Sequence, residues 1–503
     1  MQPTRLNQAG RARPTRPWAH AGWITAERVS SEQVPSARVL LARIPLARIP
    51  LALGLAAASL SSCQPADPTP PAVDAVVVVV VDTLRADALG AYGAAEAVTP
   101  TMDALAEGGT LFERCLATSS WTWPSTASLL TGKLPPEHGL IGKDGSSISP
   151  DVPSVAAAFQ SAGWATAAFV ANPIMDAELG FGRGFDVWEG TDDSWDHAAI
   201  PLERAKAWLA ERQPGEAFFL YVHLVEPHSP YRPSADSVAA LGLSAPPTDE
   251  DLGAVTRAYN LMIKGAPYDE AAIDDFVDWR RRCYAAEVRD ADLAIGDLLE
   301  ALRRRGPMDR TLLALTSDHG EEFLEHGLMG HGGQLYPESV HVPLILTGPG
   351  IAAGARIPER VENRLLGPTL LGLAGVQRPQ GLAAANLTDG EERGLRLDEP
   401  SLLHLGNGGW IEGGEYLIPD EQQGMAADGV VTVRARVKGG ERAASHRAFD
   451  AASPPEAAAP KDVDQVASEF SKLRRPSNTA PLSEELERKL RGLGYNLGRQ
   501  EPR

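Results

Sequence analysis

The sequence predicts an α/β fold, a doubly wound and largely parallel sheet covered by helices, followed by a small α+β C-terminal subdomain. Residues 75–81 are seven consecutive apolar residues, six of them valine, closed off by Asp74 and Asp82. A β-branched run without polar alternation reads as a central parallel strand buried on both faces. Short apolar runs then alternate with helical patterns, which is the order that βαβ crossovers require. From about residue 400 the alternation weakens to short strands and one helix.

In chain order, helices are expected at 102–107, 125–130 and 155–162, a strand at 165–170, a helix at 202–212 and a strand at 218–223. Residues 229–273 read as a loop-rich insertion. A long helix over 274–304 and strands at 311–317 and 343–346 complete the main domain, which spans 74–399. The C-terminal subdomain, 400–503, carries strands at 415–418 and 430–437, an Ala/Pro-rich loop at 451–461 and a helix at 483–493.

Composition narrows the functional classes. The 503 residues carry 47 Lys and Arg against 66 Asp and Glu, a net charge of −19. Residues 1–62 hold 8 basic and 2 acidic residues, which leaves 39 basic against 64 acidic, or −25, on the remainder. Such a body repels phosphate backbones, so nucleic acid is excluded as a partner. Cys63, Cys115 and Cys283 show neither paired zinc-site spacing nor enough cysteines for a disulfide framework.

Cys63 has a separate meaning. It ends RVLLARIPLARIPLALGLAAASLSSC, where arginines precede an apolar run and small residues precede the cysteine. This is the pattern of a secretory signal. Leu60-Ser61-Ser62-Cys63 resembles the bacterial lipobox, whose cysteine is lipidated and becomes the first mature residue. Residues 1–62 are therefore read as leader and signal peptide, and the Pro-rich stretch 63–73 as a tether to a membrane surface. The expected location is exported, as a periplasmic or outer-membrane lipoprotein.

In open α/β sheets, ligands bind beyond the carboxyl ends of the strands. Asp82 follows the valine strand, His228 follows the strand at 218–223, and Asp318-His319 follows the strand at 311–317. SSWTWPSTASLLTG places Thr122 and Ser125 just before an apolar helical run, with Pro124 near the helix start. A hydroxyl at a helix N-terminus lies where free N–H groups and the dipole favour an anion. Asp82, Asp318 and His319 are hard ligands able to hold one divalent cation beside it.

The order of these clusters resembles the sulfatase family. VVDTLRADALGAYG, TPTMDALAEGGTLFERC, PSTASLLTGKLPPEHG, EPHSPYRP and SDHGEEFLEHGLMGHGG follow one another as that family's landmarks do. The resemblance implies an alkaline-phosphatase-like core, making 74–399 a sulfatase-like catalytic domain, and one divalent metal ion. The family usually employs calcium, with manganese, magnesium and zinc as alternatives. It further implies Asp82, Thr122, Asp318 and His319 as metal ligands and Thr122 as nucleophile. Lys133, His228 and His331 match positions where basic groups meet the substrate anion or its leaving oxygen, while Ser125, Ser128 and Gly132 hold the helix.

The chain departs from the family pattern at three positions. Thr122 stands where sulfatases carry the Cys or Ser that is oxidised to formylglycine, so no formylglycine is expected. Thr126 replaces the family's arginine, and Thr83 stands where many members have a second aspartate. Hydrolysing a sulfo-threonine would mean cleaving a second sulfate ester. In-line displacement at phosphorus suits a threonine better, and the ligand set also resembles lipoteichoic acid synthase. Three readings follow: a metal-dependent hydrolase of sulfate or phosphate esters, an envelope phosphotransferase with a phospho-threonine intermediate, or an inactive anion-binding lipoprotein. The expected partners are an anionic ester on a glycan, lipid head group or small molecule, and a membrane reached through the lipid anchor at Cys63.

The anchor is directly testable. Mass spectrometry of the mature protein should find a lipidated Cys63 as its first residue, with partition into detergent. An intact 1–62 segment in the envelope fraction, or a fully soluble form, would refute this.

Overall fold

The computed structural model describes residues 73–382 except 96–97, 142–146, 192–198, 214, 245, 263–264, 307 and 333–335, together with 387–388, backbone strands between 403 and 447, and 483–492. Cys63, the leader, the tether and the loop at 451–461 lie outside the described residues.

The valine run forms β1, Ala75–Val81, buried along its whole length. The other strands of the main sheet are β2, Thr110–Leu116; β3, Ala165–Val170; β4, Val187–Gly190; β5, Phe218–Leu224; and β6, Thr311–Thr316. A short hairpin, β7 at Glu322–Phe323 and β8 at Met329–Gly330, precedes β9, His341–Val342, then β10, Leu344–Thr347, and β11, Ala355–Glu362. The nine-stranded order is β11-β2-β10-β6-β1-β5-β3-β4, with β9 pairing β2. β1 lies between β5 and β6, parallel to both, and β10 runs antiparallel to β6 and β2. A mostly parallel sheet thus stands as expected.

The helices are α1, Pro100–Gly108; α2, Thr122–Thr131; α3, Pro135–His138; α4, Val155–Ser161; and α5, Ala199–Glu211. They continue as α6, Ala235–Leu241; α7, Asp249–Met262; α8, Glu270–Arg305; α9, Pro337–Val340; and α10, Leu366–Leu373. Two apolar layers sandwich the sheet, because alternate valines of β1 face opposite sides. Val76, Val78 and Val80 pack with α2, α4 and α10, whereas Val77, Val79 and Val81 pack with α1, α5 and α8. Among the described residues no helix is long and apolar enough to cross a membrane.

The structure corrects the sequence reading in three places. The insertion at 229–273 is largely helical, containing α6 and α7. Strands β2 and β11 were not expected, since Glu113 and Arg114 interrupt TLFERCL and ARIPERVE mixes charges with a proline. β11 is an edge strand, where Pro358 is tolerated and the register slips between Ile357 and Arg360. Beyond 400, six strands from Leu403–His404 to Gly440–Arg447 form an antiparallel meander, β12 to β17, rather than the two strands expected. Helix α11, Glu484–Gly492, buries Leu486 in the core of the main domain.

α8 also closes the N-terminus of α1. Asp292 accepts hydrogen bonds from Thr101 N at 3.1 Å and Met102 N at 2.8 Å, in place of a cap from α1 itself. Asp292→Ala would leave these amides without a partner in a buried place, so the free energy of unfolding should fall by about 1–3 kcal/mol. Asp292→Asn should keep part of it. Chemical denaturation checks this, and an unchanged midpoint for Asp292→Ala would refute the capping role.

Candidate active site

The candidate site lies at the carboxyl ends of β1, β3, β5 and β6, and the strand register sets it. Val80 is level with both His223 and Thr316, so the residues just past β1 and β6 emerge side by side as Asp82 and Asp318. After Asp82 the chain turns sharply. Thr83 adopts φ 56°, a left-handed conformation that costs a non-glycine residue about 1 kcal/mol or more. The turn is held by Thr83 N donating to Asp318 Oδ1 at 3.3 Å and by Tyr284 Oη donating to Thr83 O at 2.9 Å. Ser317 ties the two loops together, accepting from Leu84 N at 3.0 Å and donating to His319 O at 2.6 Å.

Each buried carboxylate has one oxygen engaged by protein and one left over. Asp82 Oδ2 accepts from Asn172 Nδ2 at 2.5 Å and lies 3.4 Å from His223 Nε2. Asp318 Oδ1 accepts from its neighbour His319 N at 2.9 Å as well as from Thr83. Asp82 Oδ1 and Asp318 Oδ2 are buried without any hydrogen-bond partner among the described residues. Both face the same atom, His319 Nε2, at 3.7 Å and 3.5 Å. His319 Nδ1 lies 2.9 Å from Gly320 O, which assigns the ring proton to Nδ1 and leaves the Nε2 lone pair pointing at the two oxygens. Thr122 Oγ1 is 3.1 Å from that same Nε2.

Three lone-pair atoms and a hydroxyl converging in a buried place form a ligand set suited to a divalent cation. The orphaned carboxylate oxygens are the decisive sign, because without a cation they are two buried acceptors with nothing to accept. Asp82, Asp318, His319 and Thr122 thus fit a metal ion. One ligand atom each from Asp82, His223 and Asp318 also lie within 4.8 Å of one another.

The pKa directions carry the same message. Burial pushes the Asp82 carboxyl up, but His228, His223 and His319 outweigh it and hold Asp82 well below the carboxylate range. Asp318 is raised, by burial and then by the charge on Asp82. His319 is lowered, chiefly by burial, which keeps the ring neutral as a ligand must be.

α2 delivers Thr122. Its ten residues are all buried, it starts at Thr122 without a side-chain cap, and Gly132 ends it in the left-handed region at φ 66°. Ser125 Oγ donates to Asp318 O at 2.5 Å, clamping the first turn to the β6 loop. His138 Nε2 lies 3.1 Å from both Ser128 Oγ and Pro124 O, so this histidine braces the helix from behind. Trp121 and Trp123 are buried, with rings 5.0 Å apart, and Trp123 Nε1 donates to Ile174 O at 2.8 Å; core packing is their role.

His228 and His331 come to the cluster from different loops. Their ring centres are 5.0 Å apart, and His331 is 4.4 Å from His319. His228 is lowered, above all by burial. Burial also pulls His331 down, but Glu321, with Oε2 3.3 Å from Nδ1, and then the charges on Asp82 and Asp318 more than reverse this, so His331 is raised. His331 is therefore the histidine favoured to carry charge.

Lys133 is not brought there. It follows the C-terminal end of α2, about 15 Å along the axis from Thr122 at ~1.5 Å per residue, farther than a lysine reaches. Its Nζ lies 3.2 Å from Glu137 Oε1, four residues on. The expectation that Lys133 meets the substrate is corrected accordingly. Arg85 pairs with Asp87 at 2.7 Å as a local ion pair, and His326 lies 3.1 Å from Glu338.

Sequence reasoning missed His223, Asn172 and Glu321. His223 carried a signal, a polar residue inside the apolar run FFLYVHL, and Glu321 sits in the SDHGEE cluster. Asn172, two residues past β3, carried none.

The Sulfatase family model matches residues 74–376, which is more than half of the chain. The chain belongs to the sulfatase family. It is 28% identical over 246 residues to arylsulfatase K of Bos taurus, covering 44% of this chain and 45% of that protein. It is 26% identical over 417 residues to the N-acetylglucosamine-6-O-sulfatase of Bacteroides thetaiotaomicron, covering 67% and 74%. The chain therefore spans less than half the length of the arylsulfatase K relatives. Among solved structures, the phosphonate monoester hydrolase of Agrobacterium radiobacter superposes with TM-score 0.57 at 18% identity, covering 74% of this chain and 89% of that one. A protein solved with its substrate D-glucosamine-2-N,6-O-disulfate gives TM-score 0.56 at 19% identity, covering 85% and 99%. Both show the same fold as this sulfatase-family chain, in line with the expected alkaline-phosphatase-like core.

The convergent carboxylates of this family member generate a stability test. Without metal, Asp318→Asn removes one of two repelling charges, so the metal-free melting temperature should rise by roughly 2 °C, the shift about 1 kcal/mol produces in a large domain. The same substitution should abolish the rise that added calcium or manganese gives the native chain. Calorimetry with and without chelator checks both, and a native chain whose melting ignores every divalent metal would refute the site.

Proposed function

We propose that the chain is an exported, metal-dependent hydrolase of sulfate or phosphate esters in which Thr122 is the nucleophile. The observation that carries this reading is the Thr122 hydroxyl at the start of α2, 3.1 Å from His319 Nε2 and beside two orphaned carboxylate oxygens. A divalent cation held by Asp82, Thr122, Asp318 and His319 would polarise the ester and lower the pKa of the hydroxyl. Calcium is the family's usual ion, with manganese, magnesium and zinc as the alternatives.

The chain's own groups supply the remaining steps. The free N–H groups of the first turn of α2 face the ester anion. Thr122 loses its hydroxyl proton to solvent, and its Oγ forms the bond to phosphorus or sulfur as the bond to the leaving oxygen breaks. We assign the proton that the leaving oxygen receives to His331, because Glu321 raises it, while neutral His228 donates a hydrogen bond to a non-bridging oxygen. Water then attacks the phosphoryl or sulfuryl group, and Thr122 departs as the free hydroxyl. The threonine favours phosphate, since the second step at sulfur is hydrolysis of another sulfate ester, whereas the family favours sulfate.

Relatives named N-acetylglucosamine-6-O-sulfatase and ulvan-active sulfatase, the latter from Formosa agariphila, support an anionic glycan ester as the substrate class. The lipobox-like sequence around Cys63 supports action at a membrane surface outside the cytoplasm.

Turnover of p-nitrophenyl sulfate, p-nitrophenyl phosphate and bis(p-nitrophenyl) phosphate, with and without added metal, tests the reading. Thr122→Ala should lower kcat by about 10³-fold or more, because it deletes the covalent step. Thr122→Ser should retain activity toward phosphate esters. Full activity in Thr122→Ala would remove this residue from the mechanism, and high sulfatase turnover with negligible phosphoesterase turnover would overturn the account of the threonine.

A further inference from the structure

β5 is buried over its whole length, yet it carries two polar side chains on one face, Tyr221 and His223. Residues two apart on a strand point the same way. Phe219 and Tyr221 belong to the apolar layer that holds α2, so His223 faces that layer too, at the end of the strand nearest Asp82. The Tyr221 ring lines a small apolar cavity with Val78, Leu129, Leu130 and Phe219. A phenol in such surroundings needs a polar partner at its tip. Tyr221 Oη finds it in His223 Nδ1, at 3.0 Å. The other nitrogen of that ring, Nε2, lies 3.4 Å from Asp82 Oδ2.

These two neighbours assign the proton of the imidazole. Asp82 Oδ2 is a carboxylate oxygen that can only accept, so the nitrogen facing it, Nε2, carries the proton. Nδ1 is then bare and accepts from Tyr221. Burial pushes the Tyr221 phenol well above its usual range, so the phenol keeps the proton it donates. Donation thus runs from Tyr221 through a neutral His223 to Asp82. A protonated nitrogen has no lone pair for a metal, although His223, Asp82 and Asp318 each place a ligand atom within 4.8 Å of the others. His319 is the opposite case, with its proton on Nδ1 against Gly320 O and a bare Nε2 facing Asp82 Oδ1 and Asp318 Oδ2.

The two carboxylates are therefore held by different means. Backbone amides of Thr83 and His319 fix Asp318 Oδ1, whereas the side chains of Asn172 and His223 fix Asp82 Oδ2. We propose that Tyr221 and His223 are positioning residues of the metal site: Tyr221 fixes the His223 tautomer, and His223 holds Asp82 with Oδ1 presented to the cation while staying outside the ligand set itself. A neutral donor orients Asp82 without cancelling the negative charge that attracts a divalent ion. This rests on the metal reading above and assigns the groups that orient its first carboxylate.

Proton–nitrogen correlation spectra of the histidine rings test the tautomer, with the His223→Gln spectrum identifying the His223 signals. His223 should show a protonated Nε2 and a bare Nδ1 in the metal-free protein, and should keep them when calcium or zinc is added. A bare Nε2, with or without metal, overturns the proposal. Calorimetric titration with manganese tests the consequence. His223→Ala should weaken binding by about tenfold or more, as removal of a group that orients a ligand does. His223→Gln, whose amide can donate to Asp82, should recover most of that loss. Tyr221→Phe, which removes only the phenol oxygen, should weaken binding by about threefold. Unchanged affinity in His223→Ala or in Tyr221→Phe overturns the positioning role of the residue removed. Should His223→Ala fail to fold, Tyr221→Phe and the native spectra carry the test. A native chain that binds manganese no better than these variants sinks this inference alone. A native chain that binds no divalent ion sinks the metal reading, and the ring protons of metal-free His223 then decide the tautomer.

Discussion

Two buried carboxylates with their free oxygens turned toward one imidazole nitrogen are the constraint on which the rest of this structure depends. Asp82 and Asp318 lie on adjacent parallel strands at a spacing set by backbone register, so neither can retreat from the other. Burying two like charges is unfavourable unless opposite charge comes with them. The chain surrounds the pair with the imidazoles of His223, His228, His319 and His331, of which His331 is the one favoured to carry charge, and with the backbone amides that cover Asp318 Oδ1. The left-handed turn at Thr83 exists to point its amide at that oxygen.

Rigidity follows from the same arrangement. α2 is buried on every side and clamped at both ends, by Ser125 on the β6 loop and by Gly132 and His138 behind. The Thr122 hydroxyl therefore keeps its place without help from a substrate, which is the preorganisation that the proposed covalent step requires. A strongly negative chain manages an anion site by segregation. The carboxylates occupy one wall, while His228 and His331 approach from the loop after β5 and the loop after β8. Local geometry, and not net charge, decides the field a substrate meets.

The sequence by itself determined the sheet, because an uninterrupted valine run and apolar segments at strand length leave few ways to hide from water. It determined Asp82, Thr122, Asp318 and His319 as residues at strand and helix ends, since their positions follow from secondary structure alone. It did not reveal β11, whose charged residues suit a sheet edge rather than a core, nor all six strands of the β12 to β17 meander. Nor did it reveal α7, a polar helix stabilised by packing on α8.

Tertiary structure alone decided which polar groups share a pocket. His223 and Asn172 belong to separate strand ends, and only the β3-β5-β1 order turns both onto Asp82. Lys133 stands in the same motif as Thr122, yet an α-helix separates them by its own length and gives the lysine to Glu137. Arg280 is one of three adjacent arginines that a sequence cannot tell apart. The helical repeat spreads them around α8, so Arg280 stacks on Tyr231 and Phe276 while Arg281 and Arg282 secure the surrounding segments. Periodicity is local and can be read along the chain, whereas the meeting of side chains hundreds of residues apart depends on the sheet that carries them.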